Sequence, residues 1–455
     1  MKQKTRLKSL HKNLSEICVS RTIGRVTGVQ GGRISVTGLD AEARIGDRTE
    51  ILRRDGTSLR GEVVQLTPTG LILLPDSSLD GIALSDRVVL DRNIGIAPDI
   101  SWTGRIIDPD GNPLDGAYLT PGLSSRHLQA SPPAAATRRP LGTRLDTGHV
   151  VFDTMLPIVH GQRIGLFAGS GVGKTSLMGQ LAKVMSADIV VIAMIGERGR
   201  EVRNFVDEVL GPEGRARAIV VAATSDQAAL IRRRCAWTAM AIAEHFRDQG
   251  LSVLLLADSI TRFAEAHREV AVAAGEAPVL RGFPPSTSHM IMSLCERAGP
   301  GAAGQGDITA VFSVLVAGSD MEEPIADILR GVLDGHVVLD RSIAERGRFP
   351  AVDVLRSVSR SLPAAATQEE NQLINEVRKH LSVYAQNQMM ITAGLYTQGT
   401  DPIVDAAIQV WSALDDVMGS VHSQGCSHSF NQVKLVLRRA GKVGVGRQPQ
   451  TAPRL

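Results

Sequence analysis

The sequence predicts an α/β protein. A parallel-sheet core carrying a phosphate-binding loop is preceded by a small β-barrel and followed by a helical region. Three observations predict it. Residues 150 to about 360 alternate apolar runs with helical patterns, as the strand–helix units of a parallel sheet do. Residues 23–95 hold short β-like runs at regular spacing, broken by Gly and Asp. Beyond Ser361 the pattern turns helical, with Leu373, Val377, Leu381 and Tyr384 recurring on one face. The implied organisation is a basic amphipathic helix over 1–22, a barrel over 23–95, a nucleotide-binding region over 96–365 and a helical region over 366–455.

In the first segment, Lys2, Lys4, Arg6, Lys8 and Lys12 face one acid, Glu16, while Leu7, Leu10, Leu14 and Ile17 recur at three and four. Such a helix can dock on a partner or on anionic lipid. Packing as a cap on the next region reads the same way. After the barrel, "SPPAAATRRP" (Ser131 to Pro140) reads as an exposed connection. The tail from Lys434 carries Arg438, Arg439, Lys442, Arg447 and Arg454 without an acid, as a solvated end or an electrostatic contact would.

Composition narrows the classes. Hydrophobic content of 43% and charged content of 21% over 455 residues describe an ordinary globular chain. Its net charge of +3 makes no global case for nucleic acid. Four cysteines lie far apart, which fits a reducing compartment. His422, Cys426 and His428 could hold a metal, but they lack a fourth ligand and read better as a polar helix end. No apolar run approaches the roughly 18–20 residues of a membrane span, and no apolar stretch follows the N-terminal charges as in a signal peptide. The expected place is cytoplasmic, with any membrane contact peripheral.

The chemistry starts at "GLFAGSGVGKTSL", Gly165 to Leu177. Gly173, Lys174 and Thr175 fit the phosphate-loop pattern, whereas Ala168 stands where its first glycine is expected. Gly169 and Gly171 still let the backbone curl its N–H groups toward an anion. "QRIGLFA" before the loop reads as a buried strand. "KTSLMGQLAKVM" after it has apolar residues at Leu177, Leu181, Val184 and Met185, which is helical spacing. That context puts Ala168, Gly169, Ser170, Gly171, Val172, Gly173, Lys174, Thr175 and Ser176 around phosphate at a helix N-terminus. A glycine-rich turn between core elements is the plainer alternative.

Hydrolysis needs a metal, an oriented water and positive charge at the γ-phosphate. Asp258 ends the run "SVLLLAD" and suits Mg²⁺ beside the Thr175 hydroxyl; an N-cap for the following helix is its rival role. Glu197 ends "DIVVIAMIGE" and can polarise water. A solvated helix start at Glu197, Arg198, Arg200, Glu201 and Arg203 reads equally well.

"AGSGVGKT", "IGERGREV", "LLLADSITRFAEAHREV", "RGFPPS", "EPIAD" and "FPAVDVLRSVSR" occur in that order. Together they resemble the rotary ATP synthase catalytic-subunit superfamily and, more closely, the type III protein-export ATPases of flagella and injectisomes. The resemblance runs from about Gly24 to about Ala440. Ala168 and "DMEEPIAD" (Asp320 to Asp327) are similar to the export branch. It implies a RecA-like core binding ATP and Mg²⁺, with Lys174 on the β/γ-phosphates and Thr175 and Asp258 at the metal. Glu197 would activate water, Arg198 would lie near the γ-phosphate, and Phe349 would stack on adenine. Arg360 would be an arginine finger reaching the neighbouring subunit's site in a homohexamer.

The implied partners are a stator-like regulator on the N-terminal helix, export substrates and their chaperones, and the export gate at the inner face of the plasma membrane. The texture of the barrel and "LYTQGTDP" (Leu395 to Pro402) favour the flagellar system over the injectisome. Two other classes compete. A non-catalytic rotary subunit would lack the carboxylate that Glu197 supplies. An RNA translocase resembling the Rho terminator would want aromatic platforms, and residues 23–95 contain no Phe, Tyr or Trp.

Overall fold

The computed structural model describes residues 21–91, 95–279, 281–316 and 321–443. The amphipathic stretch over 1–22 therefore lies outside the described residues apart from Arg21 and Thr22, as do Asp320 and the last basic residues of the tail.

Six strands, β1 (Ile23–Gln30), β2 (Arg33–Thr37), β3 (Arg48–Leu52), β4 (Ser58–Thr67), β5 (Gly70–Pro75) and β6 (Arg87–Asp91), close into a barrel in the order β1-β2-β5-β4-β3-β6. Alternation does the sorting. Val26, Ile34, Val36, Ile51 and Leu73 point inward and are buried between less buried neighbours, of which Ile72 and Leu74 pack against Val64, Leu230 and Val270. Closure leaves no unpaired edge.

The connection contributes β7 (Gly95–Ile96), β8 (Ile106–Ile107) and β9 (Arg126–His127). Residues of "SPPAAATRRP" are largely exposed, although Arg138 is anchored on Glu296 at 3.1 Å. The remaining strands are β10 (Arg163–Ala168), β11 (Ile189–Glu197), β12 (Ala218–Thr224), β13 (Ser252–Asp258), β14 (Gly299–Pro300), β15 (Asp307–Leu315), β16 (Gly335–Leu339) and β17 (Val352–Ser359). The main sheet runs β17-β16-β10-β15-β13-β11-β12-β8, with β14 paired off that path to β15. Along the path every pair is parallel except β16–β17. Four strand ends, of β10, β15, β13 and β11, thus open side by side on one edge, where ligands bind open α/β sheets.

These strands read as continuous apolar runs because both faces are covered. On one face Phe167, Val191 and Leu255 pack against Trp237, Met240 and Phe263 of the helices Ala229–Asp248 and Ile260–Ala273. On the other, Leu166, Ile192 and Leu254 meet Leu177 and Leu181 of the helix Lys174–Val184. Val184 is 42% exposed, since the helix ends there. The helix Gln368–Thr392 opens on a capping box between Thr367 and Glu370. Its Leu373 and Val377, with Leu414 and Phe430 from the helices Pro402–Met418 and Cys426–Val443, extend the same core. Tyr384 stacks on Trp411 at 4.4 Å.

Barrel and core meet through the apolar cluster of Val64, Leu230 and Val270 and through a buried charge pair. Glu62 on β4 accepts a 2.6 Å bond from Arg233, both about 5–6% exposed, and Arg233 also lies 4.8 Å over the Trp237 ring. Removing one member leaves the other buried and unpaired. Glu62→Ala is therefore expected to destabilise the fold by about 3–5 kcal/mol, read as a lower denaturant midpoint; an unchanged midpoint would show that the pair is not holding the seam.

Candidate functional site

The loop between β10 and the helix Lys174–Val184 carries Gly171 at φ 76° and Gly173 at φ 86°, left-handed conformations that favour glycine. The first-turn N–H groups of that helix have no intrahelical acceptor and point out of its N-terminus. Thr175 and Ser176 are exposed there, and Ala168 is fully buried at the end of its strand. A Cβ at Gly173 would sit 3.1 Å from the Phe349 ring, so the loop approaches Phe349 closely, and Phe349 is itself 51% exposed.

Lys174 pairs its ammonium with Asp258 Oδ1 at the end of β13. Ser313 on the intervening strand β15 donates to the same Oδ1 at 2.6 Å and lies 3.5 Å from Lys174 Nζ. Asp258 is 5% exposed. It does not cap the following helix: Ser259 does, its hydroxyl accepting from Arg262 N at 3.3 Å. The rival reading of Asp258 as a cap is thereby removed.

Glu197 ends β11, the strand beside β13. The register shifts between Ile195 and Glu197, at Gly196 with φ 68°, and such a bulge re-aims the side chain that follows it. Burial first, and the Asp258 carboxylate second, push Glu197 up to about 7, against the downward pull of Lys174. Arg198 turns away; its guanidinium meets Glu201 at 3.5 Å on the exposed start of the helix Gly199–Asn204.

Arg360 lies elsewhere. β17 runs against β16 with Val352 opposite Leu339 and Ser359 opposite Gly335, so Arg360 emerges at the edge opposite to the phosphate loop. It is exposed, its N–H donating to Asp334 O at 2.9 Å and its guanidinium to Arg330 O at 3.1 Å. Lys174, Asp258, Glu197, the loop and Phe349 are thus brought together, whereas Arg198 and Arg360 are not.

Sequence reading missed Ser313. Its one signal is a hydroxyl in the otherwise apolar C-terminal half of "DITAVFSVL", and only the strand order reveals that β15 separates Lys174 from Asp258.

The residues fit nucleotide and a hard divalent cation. A lysine at a helix N-terminus above a glycine loop suits phosphate. Two carboxylates against one ammonium leave negative charge for a cation, and a carboxylate with an alcohol are the oxygen donors such an ion prefers. The candidate metal cluster at His422, Cys426 and His428 is used otherwise. His422 and Ser429 lie 2.9 Å apart, as do His428 and Gln432, and no group of three metal ligands occurs among the described residues. No helix among the described residues is long and apolar enough to cross a membrane.

Fold and site together define a P-loop ATPase of RecA-like architecture. Residues 148–359 match the ATP synthase alpha/beta family, nucleotide-binding domain, and residues 366–425 match the T3SS EscN ATPase C-terminal domain. The flagellum-specific ATP synthase of Caulobacter vibrioides is 42% identical over 424 residues, covering 91% of this chain and 96% of that protein. The type 3 secretion system ATPase of Xanthomonas euvesicatoria is 39% identical, covering 91% and 94%. The assembled ATPase EscN of the enteropathogenic E. coli type III secretion system superposes with a TM-score of 0.83 at 36% identity, over 91% of this chain and 100% of that one. The same ATPase in complex with its central stalk EscO superposes at 0.82. The chain belongs to the ATP synthase alpha/beta family, in the branch of the type III protein-export ATPases.

The raised Glu197 has a stability signature. Its ionisation is disfavoured in the folded state, so the penalty is absent at low pH, grows from about 4.5, and is complete above about 7. Glu197→Gln removes it. At pH 8 without nucleotide the variant is expected to melt above wild type, with the gap closing toward pH 5, by differential scanning calorimetry. A gap independent of pH would contradict this.

Proposed function

We propose that this chain hydrolyses ATP with Mg²⁺ at sites completed between copies of itself, and that this work energises protein export by a flagellar apparatus. The observation that carries the catalytic reading is Glu197, held near neutrality beside Lys174 and Asp258. In it, Lys174 and the helix N-terminus hold the β- and γ-phosphates, and Phe349 offers its ring face to the base. Mg²⁺, when bound, would neutralise charge on the phosphate oxygens, and Thr175 and Asp258 would hold it. Lys174 then exchanges Asp258 for phosphate, and Ser313 keeps the Asp258 carboxylate oriented. Glu197, deprotonated, orients the attacking water and accepts its proton. Arg198, paired with Glu201, would have to leave that contact to act on the γ-phosphate.

Arg360 is the reason for proposing a ring. An always-charged planar guanidinium suits a developing phosphoryl charge, and the opposite edge of its own sheet is out of reach of its own phosphate loop. Serving a neighbour's site is the role the family resemblance implies for it, and a homohexamer closes such a head-to-tail contact. The assembled state of EscN and its complex with a central stalk support assembly and a stalk-like partner for this chain. Residues 1–22 have the character for gripping a stator-like regulator; export substrates, chaperones and the export gate complete the partner set. The working place is the cytoplasmic face of the plasma membrane. Relatives carrying the flagellar name in Caulobacter vibrioides, Bacillus subtilis and Treponema pallidum, at 42 to 43% identity, support the flagellar assignment. Expression in a bacterium lacking its flagellar export ATPase should restore swimming; rescue only of an injectisome mutant would reassign it.

Glu197→Gln is expected to bind nucleotide at wild-type affinity with no measurable turnover. Arg360→Ala is expected to lose about 10³-fold or more in kcat with its fold intact. In wild type, kcat/KM should rise with pH through about 7 as Glu197 ionises. Normal turnover in either variant would remove that residue from the mechanism.

A further inference from the structure

Behind Arg360 lies a polar knot that the family motifs do not explain. Gln162, fully buried, immediately precedes β10, the strand whose far end carries the phosphate loop. Every polar atom of its side chain is used. Its Oε1 accepts from Val159 N at 3.0 Å, and its Nε2 donates to Asp334 O at 3.2 Å and to Ser359 Oγ at 3.0 Å. Those two acceptors bracket Arg360. Asp334 O is the same carbonyl that takes the Arg360 N–H at 2.9 Å, and Ser359 is the residue before it. Ser359 Oγ in turn donates to Pro157 O at 2.6 Å and lies 2.8 Å from Ser361 Oγ, the hydroxyl on the other side of Arg360.

Asp334 is itself fixed. Its carboxylate receives Arg163 through Nε, Nη2 and the backbone N–H, each at 3.0 Å, and Arg163 is the first residue of β10. The backbone on both sides of this exposed guanidinium is thus tied to the root of the strand that leads to the phosphate loop.

We infer that Gln162 is a positioning residue for Arg360. By bridging Ser359 and Asp334 it fixes where the guanidinium leaves the sheet edge, and it ties that exit point to the strand bearing the protomer's own phosphate loop. The inference rests on the reading of Arg360 as a residue acting on a neighbour's nucleotide. The chemistry is unforgiving because a misplacement of about 1 Å at a reacting group lowers a rate on the order of a hundredfold. An apolar side chain at 162 keeps the volume but leaves Ser359 and Asp334 without their common donor.

The experiment is a double-variant cycle on the full chain, with kcat, nucleotide affinity and thermal unfolding measured for Gln162→Met, Arg360→Ala and the pair. Gln162→Met alone is expected to lower kcat by about tenfold to a hundredfold, with nucleotide affinity within about twofold of wild type. In the Arg360→Ala background it should change kcat no further. A purely structural role would instead lower kcat by the same factor in both backgrounds, or weaken nucleotide binding in step with melting temperature, and either result overturns the inference. Should Gln162→Met not fold, Ser359→Ala, which removes only the hydroxyl end of the bridge, goes through the same cycle with the same criteria. If Arg360→Ala turns over normally, the reading beneath the inference fails. If Arg360→Ala is slow while folded Gln162→Met is not, the inference alone fails.

Discussion

One ammonium facing two carboxylates at the open end of a parallel sheet sets the terms for the rest of the molecule. Lys174 holds Asp258, and Ser313 between them completes the contact. Glu197 stands on the next strand, kept near neutrality by burial and by Asp258. The arrangement needs β10, β15, β13 and β11 to lie in that lateral order, with β11 running on past Met194, the partner of Asp258, to Glu197. It also needs two apolar faces to hold them there. The helices on both sides supply those faces, and the C-terminal bundle thickens one of them. A charge cluster of this kind is poorly balanced without ligands, since anionic phosphate and a divalent cation between them satisfy both signs. Binding chemistry is thereby built into the ground state of the fold.

The other consequence is a division of labour between the two edges of one sheet. The edge at the loop collects phosphate-binding and water-activating groups. The opposite edge exposes Arg360 from a knot in which Gln162, Asp334 and Ser359 leave little freedom. A rigid sheet between the two edges keeps their separation constant. Such a protomer offers a site in one direction and a completing charge in the other, which is the geometry of a heterologous, ring-closing assembly.

Much of this was legible before any coordinates. Barrel strands showed as short β-like runs at regular spacing broken by Gly and Asp, and the helix after Thr367 as the recurrence of Leu373, Val377, Leu381 and Tyr384 on one face. The buried strands showed through apolar runs ending in Ala168, Glu197 and Asp258. Asp258 and Glu197 could be nominated because each sits at the end of such a run, and Lys174 because it fits the phosphate-loop pattern after one. What could not be read was lateral order. Nothing local in "DITAVFSVL" says that Ser313 lies between Lys174 and Asp258, because neighbours in a parallel sheet are set by crossover connections far apart in sequence. For the same reason nothing in "QRIGLFA" singled out Gln162; its partners Asp334 and Ser359 are more than 170 residues away. The N-cap, weighed only as the rival role for Asp258, falls one residue later on Ser259, while Asp258 pairs with Lys174.

The central claim is that each catalytic site is shared by two copies of the chain. It is tested most directly by mixing two inactive proteins, Glu197→Gln and Arg360→Ala, and measuring phosphate release from Mg²⁺-ATP. Where an Arg360→Ala protomer meets a Glu197→Gln neighbour in the right order, the intact Glu197 of the first is joined by the intact Arg360 of the second. Recovery of turnover on mixing, with each variant silent alone, is the result this account predicts. Mixtures that stay as inactive as their components, although the two proteins are shown to co-assemble, would contradict it.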